Sequence, residues 1–313
     1  MFRVQTLLST YNGERHLADQ LDSLIAQTHP DWRLLVRDDG SSDGTVAVLA
    51  RYAAQDARIR YYVGPHLGIV GSYTALIEAA PAGEDAYAWC DQDDVWHEDK
   101  LARVASRWRD LPRNVPRLYC SRVTLVDADL RVLGTSRAPK RPGLGNALVE
   151  NVATGCTEVF NGPLRDLWLA CRPTRALCHD WWTYLLASAF GEVDYDPTPS
   201  VLYRQHAGNA IGAAATGRER WRRRWLRWMR EGPGAARLAE QAAALLEGFS
   251  ERLTPSQRAL VTAVAVSART APAMAWLAVD ARVWRQSWPD SLVMRASFLV
   301  AVLLRPRSAR AAC

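Results

Sequence analysis

From residue 2 to residue 94 the chain alternates between short apolar runs and amphipathic stretches. The runs "FRVQTLLSTYN", "DWRLLVRDDG", "RIRYYVG" and "DAYAWCDQDD" read as strands. Between them lie "GERHLADQLDSLIAQTH", with Leu17, Leu21, Leu24 and Ile25 on one helical face, "SSDGTVAVLARYAAQ", which opens on a Ser/Asp cap, and "GIVGSYTALIEAA". A β-α-β-α-β-α-β order predicts an α/β fold with a parallel, doubly wound sheet. Ligands of such sheets bind outside the carboxyl ends of the strands. Asn12, Asp38/Asp39 and Asp91/Asp93 all fall at those ends. Three polar clusters distant in sequence are therefore expected to meet in one crevice.

The last cluster is the most unusual. "AWCDQDDVW" places three carboxylates within four positions, beside apolar and aromatic residues. Like charges so close repel, and burial strengthens the repulsion. A cation would relieve it, and oxygen-only ligands suit Mg²⁺ or Mn²⁺ completed by substrate phosphates and water. A solvated acidic loop, or a cap for a helix starting near Glu98, is the plainer alternative. In "RDDGSSDGT", Gly40 permits a tight turn and capping accounts for Ser41–Asp43. Two further acids at the strand end invite hydrogen bonds from a nucleobase or ribose.

Beyond residue 100 the pattern loosens. "KLARVASRW" and "HDWWTYLLASAF" read as helices, and "PRLYCSRVTLVDA" and "YDPTPSVLYRQHAGNAIG" as strands. "VLGTSRAPKRPGLGN" reads as a Pro/Gly-rich loop. From about residue 217 the composition turns to Arg, Ala, Leu and Trp, and the pattern is helical to the end. Charge divides at the same place. Residues 216–313 hold 17 arginines, no lysine and 7 acids, whereas residues 1–215 hold 22 bases and 26 acids. Two domains with different tasks are expected, 1–215 and 216–313. The six cysteines show no C-x-x-C spacing, which argues against zinc and for reduced thiols. Met1-Phe2-Arg3-Val4 runs straight into a strand, so no secretory leader is expected, and the chain is read as cytoplasmic.

Five segments in order, "LLSTYNGERHLADQLDSLIAQT", "RDDGSSDGT", "CDQDDVW..DKL", "HDWW" and "LYRQH..N.IG", resemble an inverting family 2 glycosyltransferase of the GT-A fold. The last two and the form "DQDDVW" are similar to its rhamnosyltransferase-like branch. The likeness covers about residues 2–212. It implies a Rossmann-like, mostly parallel sheet flanked by helices, followed by a helical C-terminal region. It implies Ser9 and Tyr11 in the nucleotide-base pocket, and Asp39, with Asp38, accepting from a pyrimidine N–H. It implies Asp91 near ribose and metal, Asp93 on Mg²⁺ or Mn²⁺, and Asp94 as a supporting or sugar-contacting acid. Asp180 of "HDWW" matches the general base, with Trp181 and Trp182 as a wall of low polarity. A cap of the following apolar helix is the alternative, and it does not exclude the base role. Arg204 is expected on the diphosphate and His206 on metal or phosphate, against a plain structural reading of both. "GCTEVFN" resembles the family segment before the acceptor site, although Glu158 departs from its small, apolar character. "LYRQH" departs from the Q-x-x-R-W of processive members, which favours transfer of a single sugar.

The expected donor is dTDP-L-rhamnose, with UDP- or GDP-sugars as alternatives, and the expected acceptor is a saccharide or lipid-linked saccharide. In "RERWRRRWLRWMRE", Trp221, Trp225 and Trp228 share one helical face among seven arginines. That pattern suits an anionic bilayer surface, here the cytoplasmic face of the inner membrane. Docking on the catalytic domain is the alternative, and nucleic acid is not expected because no motif accompanies the charge. The run 291–304, broken by Arg295, falls short of the ~20 residues of a spanning helix. A nucleotidyltransferase would carry a Gly-rich, basic loop after the first strand, which "STYNGERH" is not. A non-catalytic, membrane-recruited binding protein is the reading from another class.

Overall fold

The computed structural model describes residues 2–172, 175–205, 235–267 and 270–304. His206 and the Trp/Arg stretch 218–231 lie outside the described residues. The chain divides into two compact units. The first comprises residues 1–138, 153–172 and 178–209, and the second residues 139–152, 173–177 and 210–313.

The first unit begins with the expected alternation: β1 (Val4–Thr10), α1 (Leu17–Ile25), β2 (Trp32–Asp38), α2 (Thr45–Gln55), β3 (Ile59–Val63), α3 (Gly68–Ala79) and β4 (Ala86–Cys90). β1 pairs in parallel with both β2 and β4, and β2 with β3. Every residue of β4 is buried, as a central strand covered on both faces requires. Leu17, Leu21 and Leu24 of α1 are wholly buried, each contributing about 2 kcal/mol of hydrophobic stabilisation. Ile25, expected on the same face, is 38% exposed at the helix end.

The later elements depart from the sequence reading. After the short β5 (Val95–Trp96) and α4 (Lys100–Trp108), the run "PRLYCSRVTLVDA" breaks at Arg122 into β6 (Arg117–Ser121) and β7 (Thr124–Val126). These belong to different sheets. β8 (Val132–Thr135) lies in the stretch read as a loop. The "YDPTPSVLYR" run divides into β10 (Glu192–Asp196) and β11 (Val201–Arg204), because Pro197 and Pro199 cannot donate to a ladder. The large sheet has the order β10-β6-β9-β4-β1-β2-β3, and the small one β5-β11-β7-β8. Here β9 (Val159–Asn161) runs antiparallel between β4 and β6. It therefore starts where its neighbours end. Two helices follow, α6 (Gly162–Ala170) and α7 (His179–Phe190). Asn161 caps α6 by accepting from the Leu164 amide.

The second unit holds the short α5 (Leu144–Ala147), α8 (Ala235–Phe249), α9 (Pro255–Ser267), α10 (Ala271–Val279) and α11 (Trp288–Leu304). The stretch 273–288 reads as one helix in sequence, but α10 ends at Val279 and a turn follows. That turn carries the segment around α5: Gln286 Oε1 accepts from the Lys140 and Arg141 amides at 2.8 and 3.0 Å. Gly145 lies so close to the Arg282 carbonyl that a methyl group there would collide with it. Arg295 turns inward and donates to the carbonyls of Ala278, Asp280 and Val283. No helix among the described residues is long and apolar enough to cross a membrane.

Candidate active site

Strand register brings the polar clusters to one edge. Thr10 pairs with Asp38 and Leu8 with Cys90, so residues 11–12, 39 and 91 emerge side by side. Because β9 is reversed, residues 155–158 arrive at this edge too: the Trp89 amide donates to Glu158 O. The first turn of α7 joins them through the Gly155 amide, which donates to Asp180 Oδ2 at 3.2 Å.

On the β1–β2 side the lip is open. Tyr11 is 46% exposed, and its ring lies 4.5 Å from that of His66. Gln92 holds the Tyr11 backbone at both ends, accepting from its amide (2.8 Å) and donating to its carbonyl (3.1 Å). Ser9 sits behind, 2.6 Å from the Ser72 hydroxyl. Asp38 and Asp39 are both buried, and both carry structural duties. Asp38 accepts from Thr10, the Gly40 amide and Ser41, and so builds the turn. Asp39 pairs with Arg37 and accepts from the Leu67 (2.8 Å) and Gly68 (2.9 Å) amides at the start of α3. His66 joins it, with Nδ1 2.9 Å from Asp39 Oδ2.

The acidic loop is partly fixed from within. Asp94 is buried; its Oδ1 accepts from the Arg204 amide at 3.0 Å, and its carboxyl shares a small space with Asp91 and Cys156 Sγ. Burial, then repulsion by Asp91 and Asp93, pushes the Asp94 carboxyl far above the usual range. Asp91 is half-buried and accepts from Tyr73 Oη at 2.7 Å. Its pKa is raised to about 7, first by burial and next by Asp93. Asp93 stays partly open.

Two cations brace this loop. Lys100, wholly buried, donates to Cys156 O at 2.5 Å and lies over the Trp96 ring. Burial lowers its pKa to about 7. The Arg204 guanidinium is spent on Asp93 O (2.8 Å), Ala128 O and Asp19 Oδ2 (2.7 Å). It therefore ties loops together rather than presenting a paired fork of donors to a diphosphate.

Across the edge, Asp180 is partly exposed in the first turn of α7, and Oδ1 accepts from the Trp181 amide at 2.6 Å. Trp182 points into the core and Trp181 is half-buried. His179 stacks on Tyr73 at 3.7 Å and 19°. Burial drops its pKa to about 4, so the ring is neutral near pH 7. Glu158 is wholly buried, and burial followed by Asp180 raises its pKa well above the usual range. Tyr73, Lys100 and His179 escaped the sequence reading. Their signal was weak: a tyrosine in an apolar helical stripe, the Lys of "DKL", and a His beside a more conspicuous Asp.

Residues 6–136 match the family model described as Glycosyl transferase family 2. That stretch carries the domain of this family. The chain is a glycosyltransferase. It is 26% identical to the dTDP-rhamnosyl transferase RfbG of Shigella flexneri, over 72% of this chain and 81% of that one. Among solved structures it resembles S. aureus TarS 1–349 in complex with UDP-GlcNAc (TM-score 0.55, 14% identity, 96% and 89% of the two chains). It also resembles the mannosyltransferase PcManGT of Pyrobaculum calidifontis in complex with GDP-Man and Mn²⁺ (TM-score 0.53, 18% identity, 98% and 77%). The fold of this family 2 enzyme is thus GT-A, with a mostly parallel sheet between helices and a helical C-terminal region.

Proposed function

We propose that this enzyme moves a single sugar from a nucleoside-diphosphate donor to a hydroxyl acceptor with inversion, using Asp180 as general base. The observation that carries the reading is the meeting of Asp91, Asp93 and Asp180 at one strand edge, with the open Tyr11 lip beside them. Asp180 takes the proton of the acceptor hydroxyl as that oxygen attacks the anomeric carbon. The bond from that carbon to the diphosphate oxygen breaks, and the electron pair leaves with the nucleoside diphosphate. Tyr11 and His66 offer stacking surface for the base, and Ser9 and Asp39 line the floor below. Asp38 holds the turn that presents them.

A divalent cation fits this site by its donor chemistry. Asp91 carries a pKa near 7, first because it is buried and next because the Asp93 carboxylate crowds it. Asp91 and Asp93 would hold Mg²⁺ or Mn²⁺, which would neutralise charge on the departing diphosphate. Asp94, fixed by Arg204 and beside Cys156, serves as the loop's anchor. The donor is read as dTDP-L-rhamnose, supported by the resemblance to RfbG, and the acceptor as a saccharide or lipid-linked saccharide of cell-surface polysaccharide synthesis.

The test is a panel of dTDP-rhamnose, UDP-glucose, UDP-GlcNAc and GDP-mannose with membrane extract, with and without Mn²⁺. Transfer should occur with wild type, and Asp93→Ala and Asp180→Asn should abolish it. Wild-type transfer retained in Asp180→Asn would refute the base assignment.

The second unit is read as a peripheral contact with an anionic membrane face. Trp288, Leu292 and Leu299 make an exposed apolar stripe on α11, 75%, 55% and 46% accessible. Arg295 leaves that stripe uncharged by turning inward. The arginine-rich composition supplies the charge complement for anionic lipid. Flotation with anionic vesicles should weaken in Leu292→Glu. Equal flotation of the full chain and the variant removes this stripe from the reading.

A further inference from the structure

Tyr73 touches both halves of the site. It lies on the buried face of α3 with Ser72, Leu76 and Ile77, and is 2% exposed. Its hydroxyl has one proton to share between Asp91 Oδ1 at 2.7 Å and Cys90 O at 2.8 Å. The phenol thus grips the end of β4 where the acidic loop begins. The other end of the contact is the ring face. It stacks on His179 at 3.7 Å, and His179 immediately precedes Asp180.

Trp89 closes the arrangement, meeting Tyr73 edge-on at 5.2 Å and His179 at 5.3 Å and 89°. Its indole N–H donates to Thr183 Oγ1, one turn further along α7, at 3.0 Å. A methyl group added at Gly155 would lie 3.2 Å from His179 Nε2. The imidazole is therefore closely packed by both Tyr73 and Gly155.

We propose that Tyr73 is a two-ended positioning residue: its hydroxyl orients Asp91 on the donor side while its ring fixes His179, and with it the first turn of α7 that carries Asp180. The inference rests on Asp91 as a donor-side ligand and Asp180 as the base. It assigns the two ends of one side chain to different kinetic parameters. Losing the hydroxyl alone disturbs the donor side. Losing the stacked partner alone disturbs the base, since a displacement near 1 Å costs on the order of a hundredfold in rate.

The experiment uses the full-length protein and five variants: Tyr73→Phe, Tyr73→Leu, His179→Leu, His179→Phe and Asp180→Asn. Binding is read by calorimetry with MnCl₂ and whichever of UDP, dTDP and GDP the wild type binds tightest. Turnover is read with the donor that the wild type uses. Tyr73→Phe should weaken diphosphate binding about tenfold, the worth of one hydrogen bond to a charged group, with a much smaller loss in kcat. His179→Leu should lower kcat about tenfold or more while binding stays within about threefold. His179→Phe, which can still stack, should recover most of that loss, and Tyr73→Leu should show both defects. The proposal is overturned if Tyr73→Phe and His179→Leu change binding and kcat by the same factor. It is equally overturned if both variants lose only thermal stability, which is what mere packing predicts. Wild-type kcat in Asp180→Asn would sink the base assignment whatever the Tyr73 variants do. An inactive Asp180→Asn with no split between the Tyr73 and His179 variants leaves the base standing and removes Tyr73.

Discussion

Gly155→Ala tests how tightly the first turn of α7 must be held. A Cβ there would stand 3.2 Å from Asp180 Cβ, 3.2 Å from His179 Nε2 and 3.4 Å from Asp180 Oδ2. The backbone of Gly155 has no left-handed φ, so alanine meets only its neighbours. One of those neighbours must give by a few tenths of an ångström. The Tyr73 stack keeps His179 from retreating, so Asp180 moves. Overpacking of this kind costs about 1–3 kcal/mol, partly offset by about 0.5 kcal/mol from a stiffer unfolded chain. For a domain of this size that is a fall of roughly 2–8 °C in Tm. If 1 Å of misplacement costs a hundredfold, a few tenths should lower kcat roughly three- to tenfold. The assay is a thermal melt beside kcat at saturating donor and calorimetry with Mn²⁺ and nucleoside diphosphate. Diphosphate affinity should hold, because the Asp91 side of the site is untouched. A Tm loss with unchanged kcat would refute the link between this packing and turnover, and no change in either would show that the turn yields freely.

Binding of Mn²⁺ with nucleoside diphosphate should tighten as pH rises to about 7, where Asp91 loses its proton, falling about tenfold per unit below; calorimetry from pH 5.5 to 8.5 checks it. Without metal the sign reverses for stability. Asp91 is raised above its unfolded value of 3.8, so stability should fall as pH climbs from about 4 to 7, seen as a dropping Tm. Lys100 is lowered from 10.5 to about 7, so the stability tied to its neutral amine is lost as pH falls through 7; Lys100→Met lacks that dependence, and its destabilisation relative to wild type should be larger at pH 8 than at pH 6, read from urea unfolding at both. Arg204→Leu should cost about 3 kcal/mol in urea unfolding, because a buried hub between Asp93 O, Ala128 O and Asp19 is lost. A loss under about 0.5 kcal/mol would mean that these loops hold together without it.

The first four strands and three helices were legible because each carries its own period, and because a parallel order obliges their ends to share an edge. Asp39, Asp91 and Asp93 follow from that rule alone. β9 was not legible. It is three residues long, and it owes its place to pairing with β4 and β6, partners that no local pattern names. Glu158 looked out of place for the same reason: in "GCTEVFN" it departs from a small, apolar run, and just before the reversed strand it is completely buried. Arg204 shows another limit. Its charge and position suggest phosphate, and in the structure Asp93 O, Ala128 O and Asp19 accept from its guanidinium, partners 76 to 185 residues away that no local pattern names. Lys100 and Tyr73 were hidden because a buried polar group is identified by its partners, and those are 56 and 18 residues away in sequence.

The reversed strand has an evolutionary consequence. On the proposed reading, the residues assigned to the nucleotide come from the chain before residue 97, delivered by strands that finish at the edge. Residues 155–158 are the turn that leads into a strand starting there, and Asp180 comes from the helix hydrogen-bonded to that turn. Two stretches of gene, separated by more than fifty codons, would thus write the two sides of the proposed reaction. They are joined by the pairing of β4 with β9, so a chimera that exchanges one must keep that register. The seam to respect in such a graft is the contact between Tyr73 and His179, where the two texts must still agree.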